Sequence, residues 1–440
     1  LTSISKLLKL LIQPHPQARL QLAWQFAQWG VFFLAFIPSM GGISVIFAMF
    51  IAYWQGRSLI NQRWLNRGWL GLTVLLTFGS FMAVDRVSAW LGLFNLWPFF
   101  LMFAAFSYLI QTPAQIRHMA RLLVWGSVPM LLIGYGQMWF GLTTPAQLQG
   151  ILGTIVKPYG DPPGRMAATF MYANNLAVYA QVIFALAGGL ALEAWQCKRP
   201  GWVFYGVVAG ASLGALVLTS SRNSWAIAGL ICLALAIYQG WRLVLATATA
   251  LISSVLWSAF GLGPSRDWLR AIVPAFIWAR LSDEIYPNRP LADLRQTQWQ
   301  FASQLIQDRP LWGWGIRNFS GLYQAKFNFW IGHPHNLFLM LAAESGIPAM
   351  VIFAGLVGWV MYRVSLGLCQ PKLSPDLQPD HSIIFTFLVA FSSCVLFNFL
   401  DVSILDLRNN LMGWLLFAGL GGMMYALQNP ELTTDLRSFD

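Results

Sequence analysis

Charge is scarce in this chain. Its 27 basic and 16 acidic residues make up 10% of 440 positions, against about 25% in a soluble domain. With so few charges, a water-soluble globule would expose large apolar patches, which excludes a soluble enzyme, a secreted disulfide scaffold and a transcription factor. Cysteine is scarce too. Cys197, Cys232, Cys369 and Cys394 are widely separated, so neither a C-x-x-C zinc site nor a disulfide framework is expected. A Walker loop, a dinucleotide glycine fingerprint and a serine nucleophile elbow are all missing, so nothing would hold a nucleotide or a nucleic acid. The start of the chain shows no cleavable signal peptide: Lys6 and Lys9 interrupt a short apolar run that stops at Pro14-His15-Pro16. An interfacial amphipathic lead-in is expected there.

Hydrophobic residues, in contrast, make up 57% of the chain. That is enough for about twelve spans of roughly 20 residues each. Lipid cannot satisfy an open sheet edge, so the spans must be helices. The expected fold class is an all-α polytopic membrane protein with a large structured loop on its outer side. Spans are expected at 21–40, 41–54, 69–84, 90–110, 122–140, 171–192, 202–219, 223–239, 243–262, 337–363, 382–400 and 410–427. Residues 29–54 would also suit one long helix, but Gly41-Gly42 marks a turn between two. Four regions follow: helices over 1–262, the loop over 263–334, three helices over 335–427 and a tail over 428–440.

Charge asymmetry sets the orientation. With the N-terminus inside, Arg19, Arg57, Arg63, Arg67, Arg117, Arg121, Lys198, Arg199, Arg242 and Arg363 share the inner side, together with Lys6, Lys9, Lys372 and Arg437. The opposite short loops carry only Arg86, Lys157, Arg165, Arg222 and Arg408. An eleven-span reading would reverse that bias. A plasma-membrane protein with both termini cytoplasmic is therefore expected.

The polar punctuation of the outer side is unusual. Gly164-Arg165 leads through Ala168-Thr169-Phe170 into a span containing Asn174 and Asn175. Ser220-Ser221-Arg222 forms a tight hairpin between two spans. Both arginines would serve equally as interfacial anchors. In the long loop, Leu294 to Ile306 has helical spacing, with Leu294, Trp299, Ala302, Leu305 and Ile306 on one face. Turns follow at Gly313, Gly315 and Gly321. The loop closes on His333-Pro334-His335-Asn336, where His335 or Asn336 could cap the next helix. Two histidines around a proline also resemble a metal site, but no carboxylate stands in register and no metal is expected. Glu344, followed by Gly346 and Pro348, lies within an apolar stretch, where a carboxylate is costly. Asn398, Asp401, Asp406, Arg408 and Asn409 cluster at the last outer loop, where either aspartate could pair with an arginine. Guanidinium forks bind phosphate oxygens bidentately, so Arg165, Arg222 and Arg295 could seat a diphosphate at the lipid boundary. His335 could take a proton from an attacking hydroxyl.

Arg165 with Ala168-Thr169-Phe170, the Ser220-Ser221-Arg222 hairpin and the run Arg295…Trp299…Pro310…Gly313-Trp314-Gly315 resemble the O-antigen ligase and polymerase superfamily. So does His335-Asn336-Leu337…Glu344-Ser345-Gly346. The longer string from His333 to Met340, with Phe397-Asn398…Asp401…Asp406-Leu407-Arg408, is most similar to its cyanobacterial bicarbonate-transporter (IctB-type) branch. The motifs span residues 160–415. The resemblance implies an inverting membrane glycosyltransferase that moves a glycan from a polyprenyl diphosphate to an acceptor hydroxyl, without metal, nucleotide sugar or other cofactor. It implies that Arg165, Arg222 and Arg295 hold the diphosphate, that His335 activates the acceptor, and that Glu344, Asp401, Asp406 and Arg408 support them. The branch name leaves two other classes open. One is bicarbonate transport or accumulation, since arginines also bind bicarbonate. The other is a non-catalytic subunit that keeps the scaffold and binds a membrane-protein partner.

Overall fold

The structure, a computed structural model, describes residues 11–282, 284, 290–369 and 378–428. The expected lead-in at Lys6 and Lys9, together with Arg289, Lys372 and the tail over 429–440, lies outside these residues. The described residues form helices and connecting turns, with no strand. Among the described residues, nine helices are long and apolar enough to cross a membrane. The protein is thus an all-α polytopic membrane protein.

The first two helices, α1 (Gln21–Phe33) and α2 (Pro38–Gln62), do break the 21–54 stretch in two. The break does not fall at Gly41-Gly42. It falls at residues 34–37 and is set by Pro38, which starts α2, a position that needs no backbone N–H. The glycines have a different task. A Cβ on Gly41 would sit 2.8 Å from Leu34 Cα, and one on Gly30 would sit 2.7 Å from Val45, so they let the two helices lie close. At 13 residues α1 is about 20 Å long, short of the ~30 Å apolar core of a bilayer; it is not among the nine.

Next come α3 (Trp64–Phe81), a bent pair α4 (Arg86–Leu93) and α5 (Trp97–Leu109), α6 (Pro113–Phe140) and the short α7 (Ala146–Leu152). Then follow α8 (Ala173–Gln196), α9 (Trp202–Thr219), α10 (Arg222–Gln239) and α11 (Arg242–Phe260). Residues 261–336 carry α12 (Pro264–Ile272), α13 (Ala275–Leu281), α14 (Arg295–Asp308) and α15 (Phe319–Phe327). The loop helix expected from Leu294 to Ile306 is α14, and its buried face is Gln298, Phe301, Ala302 and Leu305. The stretch expected as one span over 337–363 is divided at Gly346 into α16 (Leu337–Ser345) and α17 (Ile347–Cys369). The chain closes with α18 (Gln378–Phe397) and α19 (Leu407–Gln428).

The core is aromatic. Trp69 of α3 meets Phe100 of α5 at 4.9 Å and Trp414 of α19 at 5.2 Å, and Phe103 stacks on Phe417 at 4.6 Å. In lipid these contacts replace a hydrophobic drive between helices, which hydrocarbon cannot supply. At the end away from the loop, Arg117 of α6 pairs with Glu193 of α8 at 2.7 Å and with Asp380 of α18 at 3.2 Å.

The loop is fastened where α16 meets α17. Trp314 N–H donates to Ala343 O at 3.0 Å, Gly315 N–H to Glu344 O at 2.8 Å, and Ile347 N–H to Pro310 O at 2.8 Å. Gly313 and Gly346 have positive φ, and a Cβ on either would collide with the other segment's backbone. The two glycine motifs that looked unrelated in the sequence are halves of one joint.

Candidate functional site: an arginine-lined cavity

A cavity of about 720 Å³ is lined by Arg165, Arg222, Arg280, Arg295, His335 and Asp401, among others. Each of these side chains is placed by a local backbone feature. Arg165 leaves a tight turn that Gly160 permits, since a Cβ there would collide with the Arg165 carbonyl. Its Nε donates to Thr219 O at 2.7 Å, which ties the turn to the end of α9. Ser220 ends α9 in the left-handed region, so Arg222 can begin α10. The N-terminus of α10 has no side-chain cap, and Ser220, Ser221 and Asn223 line the cavity beside it. Uncapped N–H groups and the helix dipole favour an anion at that place.

The loop supplies the opposite wall. Arg222 donates to the Arg280 carbonyl at 2.8 Å, and Arg280 Nε donates to Ser220 O at 3.3 Å. Arg295 is the first residue of α14.

Asn336, not His335, caps α16: its Oδ1 accepts from Leu339 N–H at 3.0 Å. That leaves the His335 ring to the cavity. His335 holds φ +51°, an uncommon conformation for a residue with a side chain. Its Nδ1 lies 2.9 Å from Asp401 Oδ1. The ionised carboxylate can only accept, so Nδ1 carries the proton and Nε2 is left as a base. Asp401 is buried. Its Oδ1 also accepts from Val402 N–H at 2.9 Å, and its Oδ2 accepts from Asn174 Nδ2 at 2.8 Å. Asn174 Oδ1 in turn accepts from Arg165 at 2.6 Å. One hydrogen-bonded chain therefore runs Arg165–Asn174–Asp401–His335. Burial alone would raise the Asp401 carboxyl. The hydrogen bond from His335 and the charges of His335, His333 and Arg295 outweigh it and bring the group down to about 2.

The ligand atoms of His333, His335 and Asp401 lie within 4.8 Å of one another. The expectation that no carboxylate stands near the histidines therefore fails, because Asp401 folds in from the last loop. The donor set nevertheless suits hydrogen bonding better than a metal. His335 N–H donates to His333 Nδ1 at 3.2 Å, which assigns the neutral His333 proton to Nε2, facing Asp401 at 3.8 Å. A protonated nitrogen has no lone pair to offer an ion. Burial pushes His333 down to about 4, although Asp401 opposes the shift; His335 and Arg295 add to it.

The other expected site residues lie outside the cavity wall. Glu344 Oε1 accepts from Phe319 N–H at 3.1 Å, within the loop joint. Asp406 accepts from Asn409 N–H at 3.0 Å at the start of α19. Arg408 pairs with Asp406 at 3.4 Å, donates to the Thr169 carbonyl and lies over the Phe170 ring at 4.3 Å.

Two contributors gave little sign in the sequence. Asn174 stood out only as a polar residue in a span. Arg280 gave no signal of its own, because it reaches the cavity only through the fold of α12 and α13. A partial clue was present: Pro264 opens α12 and Pro274 precedes α13, a helix-start pattern.

Residues 207–354 match a family model described as O-antigen ligase. The matched segment contains Arg222, Arg280, Arg295, His335 and Glu344, while Arg165, Asn174 and Asp401 lie outside it. The similarity to that family covers about a third of this multi-pass membrane chain. No curated protein matches the sequence.

Proposed function

We propose that the protein transfers a glycan from a polyprenyl diphosphate to an acceptor hydroxyl at the outer face of the plasma membrane. The observation carrying this reading is a single cavity that holds Arg165, Arg222 and Arg295 beside a His335–Asp401 pair. The guanidinium groups and the start of α10 hold the diphosphate while its isoprenoid tail stays in lipid. His335 Nε2 takes the proton of the acceptor hydroxyl. The hydroxyl oxygen then bonds to the anomeric carbon from the face opposite the diphosphate, and the carbon–oxygen bond to the diphosphate breaks with inversion. The electron pair leaves on the diphosphate, where the arginines stabilise the growing charge. Such preorganised charge is usually the largest single contribution to catalysis.

Asp401 is a positioning residue: it holds the His335 tautomer and stabilises the imidazolium that forms, as a carboxylate does behind a catalytic histidine. Asn174 links this base to Arg165, so the same chain that orients the base also senses the diphosphate. Glu344, Asp406 and Arg408 act further out, fixing the loop joint and the start of α19.

Arg222→Ala in proteoliposomes with a polyprenyl-diphosphate-linked glycan should lower transfer by at least about a hundredfold with unchanged expression and folding. Retained transfer would overturn the assignment. Bicarbonate flux into liposomes lacking any lipid-linked glycan would favour the transporter class of the cyanobacterial branch instead.

A further inference from the structure

Outside the arginine cavity, the solvent side of α14 carries a shallow groove of about 620 Å³ lined by Gln296, Trp299, Gln300, Ser303, Gln304 and Gln307. Its chemistry is narrow. Four amides, one hydroxyl and one indole form the lining, and none of them is charged. The only formal charges on α14 are Arg295 at its first position and Asp308 at its last. Lys326 stands at one edge, donating to Gln304 Oε1 at 2.8 Å, which leaves the Gln304 amide hydrogens outward. The opposite face of α14 is buried through Phe301, Ala302 and Leu305, so the helix cannot roll to hide its glutamines.

The groove starts next to the cavity wall, at Gln296. Arg295, in the cavity wall, begins the same helix. Trp299 Nε1 donates to Pro334 O at 2.9 Å, which seats the indole against the residue preceding His335. From Gln296 to Gln307 the track is about 16 Å long, the reach of a few sugar units.

Resting on the transferase reading above, we propose that this face of α14 binds the acceptor's own uncharged oligosaccharide chain and leads its terminal hydroxyl to His335. Side-chain amides both donate and accept, which matches hydroxyl-rich sugars without the desolvation cost of a charge. Trp299 offers an apolar face for the C–H side of a pyranose ring. Trp299 ties the groove to Pro334, next to the histidine, and this assigns it to the acceptor rather than to the donor glycan.

The test uses the full chain in nanodiscs and a Gln300→Ala/Gln304→Ala/Gln307→Ala variant. With the donor fixed, the variant should raise KM about tenfold for an acceptor of several neutral sugars, the loss of two or three neutral hydrogen bonds. KM for a single-sugar acceptor and kcat should stay as in the wild type. An equal rise for both acceptors, or none for either, overturns the proposal. So does a rise that follows donor length instead of acceptor length. Calorimetric titration with a panel of free neutral oligosaccharides separates this inference from the reading beneath it. Binding that the variant loses, in a protein that performs no transfer, keeps the groove and removes the transferase. Active transfer with no panel binding and no dependence of KM on acceptor length does the reverse.

Discussion

At the residue scale, His333 and Asp401 give the cavity a defined response to acid. His333 is held near 4, below the usual histidine value of about 6.5. Between those two values the unfolded chain takes up a proton that the folded protein refuses, so stability falls as pH drops from about 6.5 to about 4. Asp401, held at about 2, is depressed relative to an ordinary carboxylate. Its stabilising contribution is present above about 4 and disappears as pH falls towards 2. Melting of the detergent-solubilised protein should therefore shift to lower temperature in two stages. His333→Gln should flatten the first stage and only weaken the second, because the His335 hydrogen bond to Asp401 remains when the His333 charge is lost. An unchanged slope between pH 6.5 and 4 in the variant would show that some other group sets it.

At the element scale, the loop joint makes the sharper prediction. Gly313 and Gly346 both lie at positive φ, with the opposing backbone where a Cβ would go. Alanine at either position meets two penalties, an unfavourable conformation and a collision with backbone that cannot give way. Gly346→Ala should cost more than about 1 kcal/mol and release residues 310–319 from α16. Limited proteolysis should then cut within 290–335 while the spanning helices stay intact, and transfer should fall with the cutting. A protease-resistant loop in this variant would contradict the joint.

The joint also shows what was legible in the sequence. Glycine turns at 313 and 315 could be read from residue type, and Gly346 with Pro348 permitted a break inside the expected 337–363 span without requiring one. Their mutual docking could not be read, because the partners are some thirty positions apart and pair through backbone atoms. The same holds for the start of the bundle. Charge alternation required two helices within 21–54, yet the break moved to Pro38, because Gly41 serves close packing rather than a turn. In the cavity, Arg165, Arg222, Arg295, His335 and Asp401 could be named from motifs and sidedness. Arg280 could not, since only the folding of α13 against Ser220 brings it in.

At the scale of the whole molecule, orientation is an expectation from charge asymmetry that the architecture makes testable. Helix α8 begins at Ala173, beside the Asn174–Asp401 hydrogen bond, and runs 24 residues to Gln196. That is about 36 Å, slightly more than the ~30 Å apolar core of a bilayer. Cys197, which follows directly and is exposed, therefore lies one membrane thickness from the cavity. Its neighbours Lys198 and Arg199 belong to the basic side, which faces the cytoplasm by the positive-inside rule. Leu291 is exposed on the loop, on the side of the cavity. In a background with Cys232 and Cys369 changed to serine, a membrane-impermeant maleimide should label Leu291→Cys on intact cells. It should reach Cys197 only after the membrane is opened. Labelling of both positions on intact cells would mean that α8 does not cross the bilayer. Labelling of Cys197 alone would invert the orientation and put the arginine cavity in the cytoplasm, on the wrong side for a glycan carried at the outer face.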